Sequence, residues 1–340
     1  MAQFHLQIHI TGRCNCRCKH CYIAPNASEL SADAVENILK QYETLINRIR
    51  NEEKEVLPFV YITGGEPFLH KQIHEILALI RKYSDRFTFR IMTNGTVLGE
   101  ELLKDFKSLS IPCLQVSIDG NEKTHDFIRG KGNFKRVMEG LDTMHANGIS
   151  TRVSFTAHRM NYMQFSEVAE ICRQHHVSVL WSDRYVPCQD NQVLFPLNPM
   201  ETRDYVEILE KEKRNSINHD ASLAIKNIRA LQFLASGEYP YHCSAGIRAL
   251  AVDEKGEVYP CRKFALSCGN VFKNDLEEIY YNSEILKRLR AERIPQACKG
   301  CRHRKLCQGG SRCAALATYG DYMREDPGCW LCDSGDTEET

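Results

Sequence analysis

Between residue 4 and about residue 182 the chain alternates short apolar runs with longer segments of helical period, which restricts it to architectures built on a parallel sheet. FHLQIHI, VLPFVYI at 56–62, FTFRIM at 87–92, CLQVSI at 113–118, STRVSFT and VSVLWS read as strands. Between them, 31–49, 71–82, about 99–106, about 132–146 and about 162–175 read as helices, with Ser31 and Asn161 placed to cap the first and last. Six strand–helix alternations with short connections imply right-handed crossovers. A closed eight-stranded barrel takes about 250 residues, whereas this run ends near residue 190. The expectation is α/β, a partial (β/α)6 TIM-like barrel.

The rest of the chain changes character. Pro187, Pro196 and Pro199 interrupt the rhythm before helical patterns near 200–214 and 221–235, so 191–242 reads as a helical bridge between a barrel at 1–190 and a cysteine-rich domain at 243–335. Residues 336–340 read as a flexible tail. Nine of the 16 cysteines fall in 243–332, where little regular periodicity remains, so ligands rather than a large core are expected to hold that domain. The amino terminus lacks the apolar span of a signal peptide or membrane anchor. A cytoplasmic location follows, and a disulfide framework is a poor account of so many thiols there. The 44 Lys plus Arg balance 44 Asp plus Glu, and no basic block interleaved with aromatics marks a nucleic-acid surface.

The run CNCRCKHC directly after the first strand places Cys14, Cys18 and Cys21 with three and then two residues between them. Three thiolates can hold a cubane iron-sulfur cluster while leaving its fourth iron without a protein ligand. A zinc knuckle or a disulfide hook is the plainer alternative, and Cys16 adds a fourth thiol inside the run. The second strand ends in TGGEP, where Gly64 and Gly65 let backbone approach a bound group and Glu66 can accept hydrogen bonds from an amine. Thr93, Asn94 and Gly95 end the third strand; Ser117, Asp119 and Gly120 end the fourth. Ligands of parallel sheets sit at this rim.

CNCRCKHC, YITGGEP, MTNG and QVSIDG, in this order and spacing, resemble the radical S-adenosylmethionine (SAM) superfamily over residues 4–185. The resemblance implies a 4Fe-4S cluster on Cys14, Cys18 and Cys21 that chelates the methionine moiety of SAM, with His20 before the last ligand and Gly64, Gly65 and Glu66 at the methionine amine. Its reduction would cleave SAM to a 5'-deoxyadenosyl radical that abstracts hydrogen from an inert carbon. Asn94 ends the third strand at the same rim, Ser117 and Ser154 resemble family positions near the ribose or carboxylate, and the fork of Arg129 suits a carboxylate. His125 and Asp126 are expected to fix the loop instead.

From Cys243 the pattern resembles the auxiliary-cluster extension called SPASM, through Cys243, Gly256, Cys261 and CKGCRHRKLC. The resemblance implies two further 4Fe-4S clusters, one on Cys243, Cys261 and Cys313 and the other on Cys298, Cys301, Cys307 and either Cys329 or Cys332. Cys268 completes the first set or leaves an iron open. Five residues rather than three separate Cys307 from Cys313, a departure from the pattern; by spacing alone, zinc also suits four-thiolate sites. Cys113, Cys172 and Cys188 read as buried thiols.

This combination implies an enzyme that modifies a ribosomally made peptide, by thioether or carbon-carbon crosslinking, with a precursor peptide or protein and an external electron donor such as flavodoxin or ferredoxin as partners. Epimerisation, oxidation of the anaerobic sulfatase-maturing type, a small-molecule radical SAM reaction and a noncatalytic electron carrier are the alternatives. Sulfatase maturation is disfavoured by Arg262, which stands where those enzymes place an Asp, although Asp183 or Asp119 can substitute. Trp181, Tyr185 and Tyr241 are candidates for a substrate wall.

Overall fold

The computed structural model describes residues 2–24, 26–52, 55–109, 113–187, 193–219, 221–226 and 242–331. Six parallel strands, β1 (Ala2–His9), β2 (Val56–Thr63), β3 (Thr88–Thr93), β4 (Leu114–Ser117), β5 (Thr151–Ala157) and β6 (Val179–Arg184), lie side by side in chain order. Helices α1 (Ala32–Glu52), α2 (Ile73–Lys82), α3 (Glu100–Lys107), α4 (Glu122–Arg129), α5 (Asn133–Ala146) and α6 (Phe165–Gln174) cover one face, and α7 (Pro199–His219) follows β6. This is the partial (β/α)6 barrel expected from the alternation.

Strand periodicity sorts the two faces. In β1, Phe4, Leu6 and Ile8 are buried beneath the helices, while Gln3, His5 and Gln7 alternate onto the inner face and line a central cavity. Tyr61, Arg90, Gln115, Arg152, Trp181 and Asp183 line the same cavity from the other strands. Closed barrels fill this space with branched side chains. Here the inner face is polar, and a chamber results.

The outer core is conventional. Val35, Ile38, Leu39, Tyr42, Leu45, Ile46 and Ile49 form the buried stripe of α1 at helical spacing. The Tyr42 hydroxyl donates to the Phe4 carbonyl at 2.9 Å, so even this buried polar atom is satisfied. Ser31 caps α1 as expected, accepting from the Ala34 amide at 3.1 Å.

Four features differ from the sequence reading. Asn161 does not cap a helix: its Nδ2 donates to the carbonyls of Asp119 and Thr156, both at 3.0 Å, tying together the loops after β4 and β5. The Glu122–Arg129 segment, expected as loop, is α4, capped by Asn121 accepting from the Thr124 amide. Where a second bridge helix was expected, Ala224–Lys226 form β7, parallel to β6; residues 227–241, including Tyr241, lie outside the described residues, as do Cys188 and Cys332.

The cysteine-rich segment is also more regular than expected. Its β8 (Ala249–Val252) joins the barrel sheet parallel to β1, with Ala249 beside His5, and β9 (Glu257–Tyr259) and β10 (Gly269–Asn270) continue antiparallel. Helices α8 (Leu276–Asn282), α9 (Glu284–Ala291), α10 (Arg304–Cys307) and α11 (Arg312–Tyr319) complete the segment. The sheet order among the described residues is β10-β9-β8-β1-β2-β3-β4-β5-β6-β7. No helix among these residues is long and apolar enough to cross a membrane.

Candidate active site

The loop after β1 carries CNCRCKHC across the carboxyl rim of the sheet, and the TGGEP loop is laced directly beneath it. The Gly65 amide donates to the Thr11 carbonyl and the Glu66 amide to the Arg13 carbonyl, both at 2.7 Å. There is no room for a side chain at this crossing: a Cβ on Gly65 would stand 2.1 Å from the Arg13 carbonyl oxygen, and one on Gly64 2.4 Å from that of Thr11. The glycines therefore set the height of the cysteine loop.

Glu66 is fully buried and faces away from the cavity above. Its carboxylate accepts from the Phe68 amide, the Thr93 hydroxyl and the Asn94 amide at 3.2, 2.7 and 2.7 Å. Burial pushes its pKa up to about 7 against these donors. The structure thus gives Glu66 a positioning task, clamping β2 to β3, where the sequence reading gave its side chain an amine to bind. Asn94 continues the clamp, donating from Nδ2 to Asn15 at 2.7 Å and to the Cys16 sulfur at 3.5 Å.

A cavity of about 670 Å³ opens over this rim, lined by Cys14, Cys16, Cys18 and Cys21 on one side and by Gly64, Gly65 and Asn94 below. His20, Ser117, Arg129 and Ser154 also face it, so Glu66 alone of the expected cofactor-binding side chains lies outside. The Ser117 and Ser154 hydroxyls are 3.3 Å apart on neighbouring strands. Cys16 is buried behind the loop, receiving the Asn133 amide at 3.2 Å as well as that of Asn94. Its thiol lies within hydrogen-bond reach of both Cys14 and Cys18, and its one proton, donated to either, lowers that neighbour's pKa despite burial. Cys21, without such a donor, is pushed up by burial to about 11.

Arg129, at the end of α4, lies between these thiols and a buried carboxylate. Its Nε donates to Asp119 at 2.5 Å, its Nη1 points at the Cys18 sulfur at 3.8 Å and its Nη2 reaches His20 at 3.4 Å. Burial acts to raise the Asp119 pKa, but Arg129, His20 and His125 outweigh it and hold the carboxyl well below the usual range. His20 is kept neutral, its pKa lowered to about 4 chiefly by burial. His125 bonds Asn133 at 2.8 Å, and Asp126 accepts from the Gly132 and Phe134 amides; both hold the turn rather than face the cavity.

The carboxyl-terminal cysteines gather in two places. The Cys313 thiol contacts both Cys243 and Cys261, beside a second cavity of about 460 Å³ inside the half-barrel. Cys268 is not with them; it packs against the barrel core and its thiol bonds Ser283. Cys298, Cys301, Cys307 and Cys329 form the other group: burial and then Cys329 raise Cys298, while burial, then Asp326 and then Cys329 raise Cys307. Asp326 positions that last cysteine: its carboxylate takes Arg184 of β6 at 2.5 Å and the Ser311 and Gly328 amides at 2.8 Å. Cys113 is half-buried beside Arg152, and Cys172 is buried in the core.

The two cavities share Met92, Gln115, Trp181, Asp183, Tyr185, Val186, Arg262 and Lys263, so one chamber runs from the cysteine loop to the Cys243 group. At its waist Asp183 receives Lys263 at 3.1 Å, with Arg262 at 3.9 Å, and Trp181 donates to Gln115 at 2.9 Å. Among the described residues no His, Cys, Asp or Glu group has the arrangement that holds a single metal ion. The donor sets suit a larger, thiolate-bound group: Cys14, Cys18 and Cys21 all face one cavity large enough to take it.

Residues 8–174 match the radical SAM superfamily, and the chain belongs to that class of enzymes, which use a 4Fe-4S cluster and SAM. Residues 243–302 match the SPASM iron-sulfur cluster-binding domain; the protein is a radical SAM/SPASM oxidoreductase. It is 28% identical over 347 residues to an AdoMet-dependent heme synthase of Methanosarcina barkeri, spanning 94% of each chain. It is 26% identical to the antilisterial bacteriocin subtilosin biosynthesis protein AlbA of Bacillus subtilis, over 87% of this chain and 63% of that one. Streptococcus suis SuiB shares the fold, with a TM-score of 0.77 at 18% identity over 96% of this chain and 77% of its own.

Proposed function

We propose that this enzyme abstracts a hydrogen atom from a ribosomally made peptide and directs the product toward a thioether or carbon-carbon crosslink. The observation that carries this reading is the single chamber joining the Cys14–Cys21 loop to the Cys243, Cys261 and Cys313 thiols, with Cys268 held elsewhere. A substrate in that chamber has one end at the radical-forming rim and the other beside a three-thiol site that has no fourth cysteine among the described residues. With cluster and SAM bound, the rim supplies a 5'-deoxyadenosyl radical.

The protein's own contribution is placement. Cys14, Cys18 and Cys21 would hold the first cluster, the exposed edge of the Gly64–Gly65 backbone would receive the methionine amine, and Arg129, fixed by Asp119, would receive its carboxylate. Ser117 and Ser154 would take the ribose. Cys243, Cys261 and Cys313, and separately Cys298, Cys301, Cys307 and Cys329, would hold auxiliary clusters. The relation to a bacteriocin biosynthesis protein supports a peptide substrate, with an external one-electron donor as second partner.

The end-to-end match to a heme synthase favours a second reading, a small molecule in the same chamber. Anaerobic incubation of the reduced holoenzyme with SAM and candidate precursor peptides, read by mass spectrometry, tests the first. Loss of a pair of hydrogen atoms from a peptide supports crosslinking. Deuterium taken up from heavy water with no net loss of hydrogen atoms supports epimerisation instead. Formation of 5'-deoxyadenosine with every peptide left unmodified, but a porphyrin altered, would overturn the peptide reading in favour of the second.

A further inference from the structure

The lumen end of the chamber holds two arginines that the chemistry at the rim does not use. Arg90 on β3 and Arg152 on β5 project from inward positions of their strands, and both line the cavity. Arg90 is three residues before Thr93, which places it roughly 10 Å below the strand ends at about 3.3 Å per residue. Arg152 is 8% exposed, and it sits close enough to Arg90 for that charge to lower its pKa, second only to burial.

Among the described residues no carboxylate neutralises this pair. Arg90 donates from Nη1 to the Tyr61 hydroxyl at 3.2 Å and lies over the Phe59 and Tyr61 rings at 5.2 and 5.7 Å; Arg152 is bonded to the Cys113 thiol. None of these partners is a carboxylate, and among the described residues the buried Nε of each arginine has no hydrogen-bond acceptor. Among the described residues neither guanidinium pairs with a carboxylate. Among the described residues the one carboxylate lining this cavity, Asp183, is held by Lys263 and Arg262 at the waist. Lys226 and Arg248 add to the cationic lining.

The buried Arg152 guanidinium and the half-buried Arg90 guanidinium beside it repel one another, and a buried charge without a counter-charge is unfavourable. A fold that keeps both at inward strand positions, where a polar glutamine or serine serves on neighbouring strands, is compensated by something that enters the chamber. The planar fork of arginine matches a carboxylate bidentately.

We propose that Arg90 and Arg152 form a carboxylate-binding site that anchors an anionic group of the substrate deep in the barrel, leaving the carbon to be attacked about 10 Å higher at the rim. The inference rests on the chamber being the substrate's, as proposed above, and it applies equally to an acidic side chain or carboxyl terminus of a peptide and to a propionate of a porphyrin. The arginines are positioning residues for substrate, not participants in SAM cleavage.

Isothermal titration of the anaerobic holoenzyme with glutarate, against glutaramide as the neutral counterpart, tests the site without requiring turnover. Glutarate is expected to bind and glutaramide not. The double variant Arg90→Met, Arg152→Met should weaken glutarate at least about tenfold, the loss of one charge-assisted hydrogen bond or more, and Arg90→Lys with Arg152→Lys should recover part of it. Thermal stability discriminates a structural role: the Met pair should melt no lower than wild type, because no protein carboxylate is stranded. Glutarate binding equal to glutaramide binding, binding unchanged in the Met pair, or a Met pair that melts several degrees lower would each overturn the proposal. A glutamate peptide against its glutamine counterpart, and a propionate-bearing porphyrin against its methyl ester, show which source the pair prefers. Because SAM is absent from these titrations, failure of the radical reaction and failure of the anion site are separately visible.

Discussion

Replacing Gly65 by Ala tests whether the TGGEP crossing sets the position of the cluster loop. The added Cβ would stand 2.1 Å from the Arg13 carbonyl oxygen and 3.0 Å from the Cys14 Cβ. An ordinary carbon–oxygen contact is more than about 3 Å, so the Arg13–Cys14 backbone must rise by roughly 1 Å or β2 must drop; forced overpacking of this kind costs about 1–3 kcal/mol. Both moves strain the Gly65–Thr11 and Glu66–Arg13 hydrogen bonds of 2.7 Å. Anaerobic reconstitution with iron and sulfide, followed by iron counts, visible absorbance and 5'-deoxyadenosine formation, reads the result. The expected outcome is loss of about one cluster's iron and a fall in SAM cleavage of about a hundredfold, as a misplacement near 1 Å at a reacting group produces. Gly99→Ala is the control, since nothing lies within 4 Å of its Cβ direction. Full iron content in Gly65→Ala with SAM cleavage within a factor of about two of wild type would refute the reasoning.

Asp119→Asn should strand Arg129 as a buried charge and lower stability by about 3–5 kcal/mol, visible as a lower urea midpoint. Because the Asp119 carboxyl is held below its unfolded pKa, its contribution is complete above about pH 4 and fades as pH falls further; the gap between wild type and variant should therefore narrow on acidification, and a gap that widened would reject the assignment. Cys313→Ser should remove one cluster's worth of iron whereas Cys268→Ser should leave the count unchanged, since Cys268 bonds Ser283 and not the Cys243 group. Equal iron loss in the two variants would place Cys268 among the ligands.

The barrel was legible because its signal is local. Each of β1 to β6 carries apolar residues at alternate positions facing helices whose own stripes are strong, as in Val35 to Ile49 of α1. The cysteine loop and TGGEP were legible because residue type and spacing themselves encode the chemistry. What escaped is non-local. Segment 122–129 buries only Thr124, His125, Ile128 and Arg129, so no apolar stripe announces α4. Strand β8 is four residues long, and its partner β1 lies more than two hundred positions earlier, so ALAV reads as irregular chain. Asn161 carries the residue type of a cap but is drawn to the Asp119 and Thr156 carbonyls by the tertiary fold. Glu66 has the chemistry to bind an amine, and only the arrival of Thr93 and Asn94 from the next strand shows that its oxygens are taken. The inward arginines left one usable trace, a single cation within each of two strand segments, FTFRIM and STRVSF.

The way β8 enters the sheet explains how two separate thiol sites come to share one chamber. β1 bonds β2 on one edge and β8 on the other, with Gln7 beside Ala251, and Ala251 in turn faces Tyr259 of β9. Cys261 and Arg262 follow Tyr259 within three residues, and Arg262 reaches back to Gln7 at 3.4 Å. The strand that ends in the Cys14–Cys21 loop is thus the same strand whose middle fixes the height of Cys261. A hydrogen-bonded ladder, rather than a linker, sets the spacing between the rim and the Cys243 group, and a ladder register can change only in whole-residue steps. Coupling between the sites therefore depends on the β1–β8 pairing as much as on the ligands themselves. The lumen residues between them, from Gln7 through Tyr61 and Arg90 to Arg152, are held by that frame at fixed depths below the rim, which is what allows an anchored substrate to present one carbon rather than many.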